Sequence, residues 1–230
     1  MPMFTPDEWQ ALRLSLEVAA RSVLLSLPFA IAVAWLLARR RFLGRTLLDA
    51  AIHLPLVLPP VVVGYFLLLI FGTRGAVGAW LNEQFGLRLV FTTAGAALAT
   101  AVMSFPLVVR AIRLSIENID PGLEAAARTL GARAWDRFFS ITLPLTLPGI
   151  LAGVIVAFSA SLGEFGAVIT FVSNIPGETR TLPLALYTAI QTPDGDAAAV
   201  RIAALSVSLG LAGLLLSEWL ARSVRRRFGS

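Results

Sequence analysis

The chain is interrupted near its middle by a polar stretch that lies between two long apolar segments. The stretch reads Leu123-Glu124-Ala125-Ala126-Ala127-Arg128-Thr129-Leu130-Gly131, and nine residues separate it from Ile141-Thr142-Leu143-Pro144. Asp120 followed by Pro121 is a good helix start, because the carboxylate can accept from free backbone N–H groups and proline at the first helical position loses no hydrogen bond. Gly131 suits the left-handed residue that closes a helix. The pattern predicts a helix over 123–130, with Glu124 and Arg128 spaced to pair, and a second short helix over about 134–139 that ends before Pro144.

The 230-residue chain as a whole is strongly apolar, because 57% of its residues are hydrophobic and only 14% are charged. A helix needs roughly 20 mostly apolar residues to cross a ~30 Å hydrocarbon layer, and its backbone must be hydrogen-bonded internally. Five windows meet this requirement: 15–38, 50–71, 91–109, 145–172 and 200–220. We therefore expect an all-α fold, a polytopic membrane protein with about five transmembrane helices in a single domain over residues 1–230.

The distribution of arginine predicts the orientation in the membrane. The chain has no lysine, and 13 of its 19 arginines follow the first window, lie between the third and fourth, or end the chain. Loops on the cytoplasmic side are enriched in Lys and Arg. We therefore expect the N-terminus outside, and the C-terminus and the polar stretch in the cytoplasm.

Three large aromatic residues, Trp135, Phe138 and Phe139, follow the first predicted helix of the polar stretch. One interpretation is that they lie against the membrane interface, where Trp is common. The other is that they anchor a protein interface, since buried Trp and Phe carry much of the binding energy there. Taken alone, the aromatic residues leave both interpretations open.

The polar stretch resembles the coupling motif of the permease subunits of binding-protein-dependent ABC importers, in which glutamate and two alanines precede a glycine, and isoleucine-x-leucine-proline follows. In that family the loop enters a cleft on a cytoplasmic ATPase and passes its closing motion to the membrane helices. The resemblance implies a type I ABC importer permease fold with a coupling loop over about residues 118–144. It implies ATPase contacts by Glu124, Ala125, Ala126, Arg128, Gly131, Trp135, Phe138, Phe139, Ile141, Leu143 and Pro144. In one departure, Ala125 takes the place of the family's glutamate and Glu124 lies one residue earlier.

Further passages at 53–65, 104–107, 161–167 and 174–181 are similar to those of molybdate permease subunits, so the resemblance spans nearly the whole chain. Gly163-Glu164-Phe165-Gly166 is shared with sulfate permeases, whereas the compact length and Gln191-Thr192-Pro193 favour molybdate. The resemblance implies a homodimeric pore in the bacterial inner membrane, with two ATPase subunits that use ATP and Mg on the cytoplasmic side. A periplasmic or lipid-anchored binding protein would deliver molybdate or tungstate from outside. The chain itself would bind no cofactor and no metal.

Two groups of residues are candidates for the transport pathway. A carboxylate at membrane depth is costly to bury without partners, and an ionised one would repel an oxyanion. We therefore expect Glu164, with Ser161, Phe165 and Gly166, to act in a gate or along the translocation pathway rather than as a ligand. The alternative is that the helix end is wet and Glu164 is an ordinary boundary residue. In the outer loop, Thr179, Arg180 and Thr181 can hydrogen-bond an oxyanion or contact the binding protein, and we expect the second role.

Other classes of function have less support in the residues. An intramembrane hydrolase needs a nucleophile with a base, paired aspartates or zinc ligands, but the chain has one histidine, His53, and no cysteine. We expect His53 to be structural. A self-sufficient pump would need the lysine of a phosphate-binding loop. The arginines flank apolar spans instead of forming one basic face, so nucleic acid is not an expected partner. A secondary transporter or channel stays open, and dependence of uptake on a separate ATPase would distinguish it.

Overall fold

The structure is a computed structural model that describes residues 4–228, and the side chains at 124, 214, 216–218 and 220–228 lie outside the described part. That part therefore excludes the side chains of the four C-terminal arginines used above to predict orientation. Residues 4–228 contain helices and no strand. The helices are α1 (Pro6–Arg39), α2 (Arg45–Val57), α3 (Pro60–Phe71), α4 (Ala76–Phe85), α5 (Thr93–Glu117), α6 (Pro121–Thr129), α7 (Ala134–Arg137), a π-helical turn (Phe138–Thr142), α8 (Leu143–Leu162), α9 (Gly166–Val172), α10 (Leu182–Gln191) and α11 (Asp196–Phe228).

Four segments of the described chain are long and apolar enough to cross a membrane: Pro6–Arg39, Thr93–Glu117, Ala134–Leu162 and Asp196–Gly213. The α2–α3 pair makes a fifth if the two helices count as one broken span. The all-α prediction with about five spans is therefore confirmed. Proline inside a helix removes one hydrogen bond without necessarily ending it, and Pro28, Pro106 and Pro148 all lie inside spans that continue past them.

The second window, 50–71, is divided between two helices, because the chain bends by 117° between α2 and α3. Leu58 has the extended backbone that a residue before proline favours, with ψ of 145°. Pro59 is extended as well and, like Pro60, has no N–H to continue a helical ladder. Pro60 then begins α3. Because the residues on both sides of Pro59 are apolar, the average hydropathy of the segment does not reveal this bend.

The fourth window, 145–172, is also divided, and its start was misplaced. α8 ends at Leu162, and α9 begins after the break Gly163–Phe165. At the other end, the predicted stop before Pro144 is wrong, because α7 continues through the π-helical turn into α8. The N–H of Leu143 donates to the carbonyl of Phe138, five residues earlier. This wider turn carries the helix to Pro144, which lacks an N–H.

The interior is formed where α1, α5 and α8 pack together, with Val108, Val109 and Ile112 fully buried in α5. Close approach depends on the small residues of α8. A Cβ on Gly149 would collide with Ser115, and one on Gly153 would lie 3.3 Å from Val108 Cγ1. The glycine-x-x-x-glycine step therefore packs against α5 of the same chain, as small residues do between membrane helices.

The helix that follows the outer loop is held against the bundle. α10 packs against α1 and α11, and Leu182, Leu184 and Ala185 are buried there. Its first N–H, that of Leu182, donates to Ser15 Oγ of α1 at 2.7 Å. The starts of α1 and α11 are joined by an ion pair between Glu8 and Arg201 at 2.9 Å. These contacts fix the segment around residues 174–182 against the helix bundle.

Candidate functional site

The first half of the coupling loop (residues 118–144) is a self-contained capped helix. Asp120 Oδ1 accepts from the N–H of Gly122 at 2.8 Å, and Pro121 is the first residue of α6. At the other end Gly131 has φ of +85°, and the N–H of Ala132 donates to the carbonyl of Ala127 at 3.0 Å. The predicted start and the left-handed glycine are both confirmed. Glu124 lies in α6, but its side chain, and so the predicted pairing with Arg128, falls outside the described part.

The second half is tied to the first by two polar contacts. The guanidinium of Arg137 donates to the carbonyl of Ala132 at 2.7 Å. Asp136 Oδ2 accepts from the backbone N–H of Arg133 at 3.0 Å and so caps the start of α7. Both contacts hold the linker against α7, and the linker is joined to α6 by the bond from the N–H of Ala132 to the carbonyl of Ala127.

The aromatic residues of the coupling loop point in different directions. Trp135 is 73% exposed and stacks on Phe139, which is 58% exposed, with ring centroids 6.1 Å apart. Leu130 beside them is 87% exposed. Phe138 instead packs edge-on against Trp35 of α1, with centroids 6.2 Å apart. An exposed apolar cluster at the end of a membrane protein marks an interaction surface; we call Leu130, Trp135 and Phe139 the docking patch.

The end of the coupling loop is continuous with a membrane helix. Leu143 is half-buried and packs against the core cluster formed by α1, α5 and α8. Ile141 lies in the π-helical turn and Pro144 in the first turn of α8. Trp135 and Phe139 of the docking patch are therefore joined to α8 by continuous helical structure.

The break at the far end of α8 is capped by Glu164. Its Oε1 accepts from the N–H of Ala167 at 2.9 Å, so the carboxylate satisfies a free donor at the start of α9. Just before the break, Ser161 shares a buried hydrogen bond of 3.0 Å with Ser22 of α1. Phe165 contacts the ring of Tyr187 in α10, with centroids 5.1 Å apart. The break therefore has fixed partners on two neighbouring helices.

The two broken helices meet at this point, which sequence analysis did not foresee. A Cβ on Gly166 would lie 2.7 Å from Pro60 Cβ, and one on Gly64 would lie 2.7 Å from the carbonyl oxygen of Ala167. The start of α9 thus rests directly on the start of α3, next to the bend at Pro59. We call the contact formed by Pro60, Gly64, Gly166 and Ala167 the hinge contact. The spacing of Pro60 and Gly64 was its only signal in the sequence.

The three outer-loop candidates differ in how deeply their side chains are buried. Thr179 is fully buried, where its Oγ1 donates to the carbonyl of Ser173 and accepts from the N–H of Ile175. Thr181 is buried at the start of α10. Arg180 is half-buried and donates from Nε to Asn174 Oδ1 at 2.9 Å. Of these side chains, Arg180 is the one that a partner can reach without opening the loop.

An ion-pair cluster that the sequence did not indicate joins α2 to α5. Arg113 forms ion pairs with Asp49 at 2.9 Å and with Glu117 at 2.8 Å. His53 Nδ1 lies 2.8 Å from the carbonyl oxygen of Asp49, so the ring is hydrogen-bonded within its own helix, in keeping with a structural role. Within the described residues, no group of three or more His, Cys, Asp or Glu side chains is arranged to hold a metal ion.

Comparison with known proteins identifies the family. Residues 26–226 match the family model described as "Binding-protein-dependent transport system inner membrane component". The chain belongs to this family. It is 60% identical over 227 residues to the molybdenum transport system permease protein ModB of Escherichia coli K12, covering 99% of both chains. It is 40% identical over 201 residues to the sulfate transport system permease protein CysT of the same organism, covering 87% of this chain and 70% of CysT.

A solved structure supports the same assignment at the level of the fold. A bacterial alginate ABC transporter, crystallised in complex with an alginate pentasaccharide-bound periplasmic protein, superposes with a TM-score of 0.74 at 19% identity, covering 96% of this chain and 80% of that one. The predicted ABC importer permease fold is therefore confirmed.

Family membership decides between the functions left open above. The chain is a multi-pass transport subunit of the inner membrane and not itself an enzyme. A transport component that depends on a binding protein is also not a self-sufficient channel or secondary transporter.

Proposed function

We propose that this chain is the permease subunit of an ABC importer that takes up molybdate, with tungstate as a second substrate. The observation that supports this most strongly is the 60% identity to ModB over 99% of both chains, against 40% over 70% of the sulfate permease CysT. Residues 1–230 serve as one transmembrane permease domain. ATP and Mg are used by a separate ATPase, and the chain itself binds no cofactor.

Coupling starts at the docking patch, which binds the cytoplasmic ATPase. A patch with an exposed Trp and Phe among small residues fits a protein interface better than a lipid-facing surface, because the neighbouring α6 carries alanines that permit close approach. We expect Glu124, Ala125, Ala126, Arg128 and Gly131 of the same loop to contact the ATPase as well. When the ATPase closes, the patch moves and α8 moves with it.

The hinge contact transmits that movement to the gate of the transport pathway. α8 ends at Gly163–Phe165, where Ser161, Glu164, Phe165 and Gly166 connect it to α9, and α9 rests on α3. A shift of α8 therefore acts on the bend between α2 and α3. Packed contacts of this kind have discrete arrangements and do not deform continuously.

A second copy of the chain completes the pore. Irregular backbone at membrane depth is stable only where protein or water covers it, because lipid offers no hydrogen bonds. In one copy Pro59 and Pro60 at the α2–α3 bend are exposed. A homodimer that places the two bends at its centre would cover them and leave a wet path between them. Two ATPase subunits then occupy the two coupling loops.

The arginine distribution supports an orientation with the coupling loop and the C-terminus in the cytoplasm and the N-terminus outside. With this orientation Arg180 faces the periplasm, where it contacts a periplasmic or lipid-anchored molybdate-binding protein. Thr179 supports that contact from within, because its hydroxyl bonds two backbone groups of the loop, whereas Thr181 is buried at the start of α10.

Transport by the reconstituted complex tests the proposed substrate. Proteoliposomes that contain the permease and its ATPase should accumulate molybdate when ATP is inside and loaded binding protein is outside. Sulfate at the same concentration should be accumulated far more slowly. Faster accumulation of sulfate, or molybdate uptake without the ATPase, would contradict the proposal.

Arg180→Gln should reduce uptake about tenfold by weakening the contact with the binding protein, since a charge-assisted hydrogen bond contributes about 1.5–3 kcal/mol. Saturating amounts of binding protein should restore most of the rate. Arg88→Gln is the matched control, because Arg88 also donates from Nε to an asparagine Oδ1, at 3.0 Å, on the same side of the protein. If Arg180→Gln and Arg88→Gln support equal uptake, Arg180 does not contact the binding protein.

Glu164→Gln should lower uptake about fivefold while leaving assembly with the ATPase intact. Glutamine keeps an acceptor for Ala167 but loses the charge that favours a helix N-terminus, which contributes about 1 kcal/mol. Glu164→Ala should lower uptake further, because the N–H then has no acceptor. Glu83→Gln, at an exposed position of α4, serves as the control. Wild-type uptake by Glu164→Gln with normal assembly would show that Glu164 is only a boundary residue.

A further inference from the structure

A cavity of about 650 Å³ lies between α1 and the coupling loop, beside the contact of Trp35 with Phe138. This volume is within the roughly 300–1,000 Å³ of sites that bury small ligands. We call it the α1 groove. The residues that line it include Ile31, Ala32, Trp35, Arg40, Trp135 and Phe138.

The α1 groove is amphipathic along its length. Its walls are aliphatic and aromatic, whereas one end is marked by Arg40, whose guanidinium carbon lies 5.5 Å from the centre of the Trp35 ring. Stacking on Trp35 positions the guanidinium, and its N–H groups can still donate to an anion. Such a groove suits an occupant with an apolar tail and a negatively charged head.

The position of the groove restricts what can fill it. The wall residues at 28, 31, 32, 35 and 36 lie inside the span Pro6–Arg39, which is long and apolar enough to cross a membrane. Arg39, Arg40 and Arg41 follow at the level where lipid headgroups lie. Basic pockets beside membrane helices on the cytoplasmic side are typical binding sites for anionic headgroups. A second copy is less suitable at this end, because it brings the same arginine cluster.

We propose that the α1 groove binds an anionic phospholipid, with an acyl chain along Ile31 and Trp35 and the phosphate at Arg40. The assignment rests on the proposed function, because that function places this end of α1 at the cytoplasmic face. Trp135 and Phe138 belong both to the groove wall and to the coupling loop. The bound lipid therefore steadies α7 against α1 and sets the position in which the docking patch meets the ATPase.

Two measurements on the full permease test the assignment. Native mass spectrometry of the permease alone, from nanodiscs of phosphatidylcholine with or without phosphatidylglycerol, should show phosphatidylglycerol retained. In the assembled complex, phosphatidylglycerol should raise ATP hydrolysis stimulated by loaded binding protein about threefold or more. Arg40→Gln and the groove-filling Ala32→Phe should lose both effects. Arg41→Gln and Ala20→Phe, which change exposed positions outside the groove, should keep them.

The contrary outcomes are distinct. Equal loss in Arg40→Gln and Arg41→Gln would show that surface charge, not the groove, attracts the lipid. The chain has no cysteine, so Ala32→Cys introduces a single cross-linking site, and efficient cross-linking of two copies there would assign the groove to the dimer interface. Retention of lipid by the permease alone does not involve the ATPase. If the wild-type permease retains lipid but never binds an ATPase, the proposed function is overturned and the lipid site is not.

Discussion

Replacing Trp135 and Phe139 together by alanine is expected to detach the ATPase from the permease and leave the permease folded. Both rings are mostly exposed and stack on each other, so the protein core loses little when they are removed. Aromatic residues at the centre of an interface contribute about 2 kcal/mol or more each, and such contributions are not additive. We expect the affinity for the ATPase to fall at least about 100-fold, which corresponds to about 2.7 kcal/mol. Co-purification and titration of the ATPase measure this directly.

The chain offers a matched control for this double variant. Trp80 and Phe85 of α4 form another exposed aromatic pair, with ring centroids 5.4 Å apart, on the opposite side of the membrane in the proposed orientation. Trp80→Ala with Phe85→Ala should leave ATPase affinity unchanged. If both double variants bind the ATPase like wild type, the docking patch is not the ATPase interface and the aromatic residues lie against the membrane.

Gly64→Val is expected to abolish transport while the ATPase stays attached. A Cβ at this position would lie 2.7 Å from the carbonyl oxygen of Ala167 and 3.0 Å from its Cα, and neither backbone atom can move aside without displacing α9. The larger side chain must push α3 and α9 apart, and overpacking of this kind costs about 1–3 kcal/mol. We expect ATP hydrolysis to continue but to lose its response to loaded binding protein. Uptake should fall at least about 20-fold.

Gly210→Ala controls for the loss of a helical glycine in a membrane helix. A Cβ at Gly210 in α11 meets no atom within 4 Å, so this variant should transport normally. Thermal unfolding of both purified variants separates a blocked gate from a misfolded protein. Normal uptake by a folded Gly64→Val permease would exclude the hinge contact from the gate.

The features predicted correctly from the sequence are those with local causes. The start of α6 follows from Asp120 and Pro121, and its end from Gly131, because caps and left-handed residues are determined by near neighbours in the chain. The spans follow from composition averaged over about 20 residues. The same averaging explains why the fourth window missed its break, since Gly163 lies in apolar surroundings and an average over about 20 residues does not register a break there.

The features that were missed depend on residues far apart in sequence. Asp49 meets Arg113, and Gly64 meets Ala167, through packing that no local pattern encodes. The π-helical turn was missed for a different reason. Pro144 was taken as a stop, yet a wider turn at Phe138–Thr142 accommodates its missing N–H. Thr179 was expected to contact the binding protein because it lies in a polar loop. Its hydroxyl instead bonds two backbone groups of that loop, the carbonyl of Ser173 and the N–H of Ile175.

The central claim is that an ATPase held at the docking patch drives this permease. The most direct measurement is ATP hydrolysis by the purified permease–ATPase complex, with and without molybdate-loaded binding protein, for wild type and for Trp135→Ala with Phe139→Ala. We expect wild type to co-purify with the ATPase and loaded binding protein to stimulate hydrolysis, whereas the double variant should show neither. Wild-type attachment and stimulation in the double variant would contradict it.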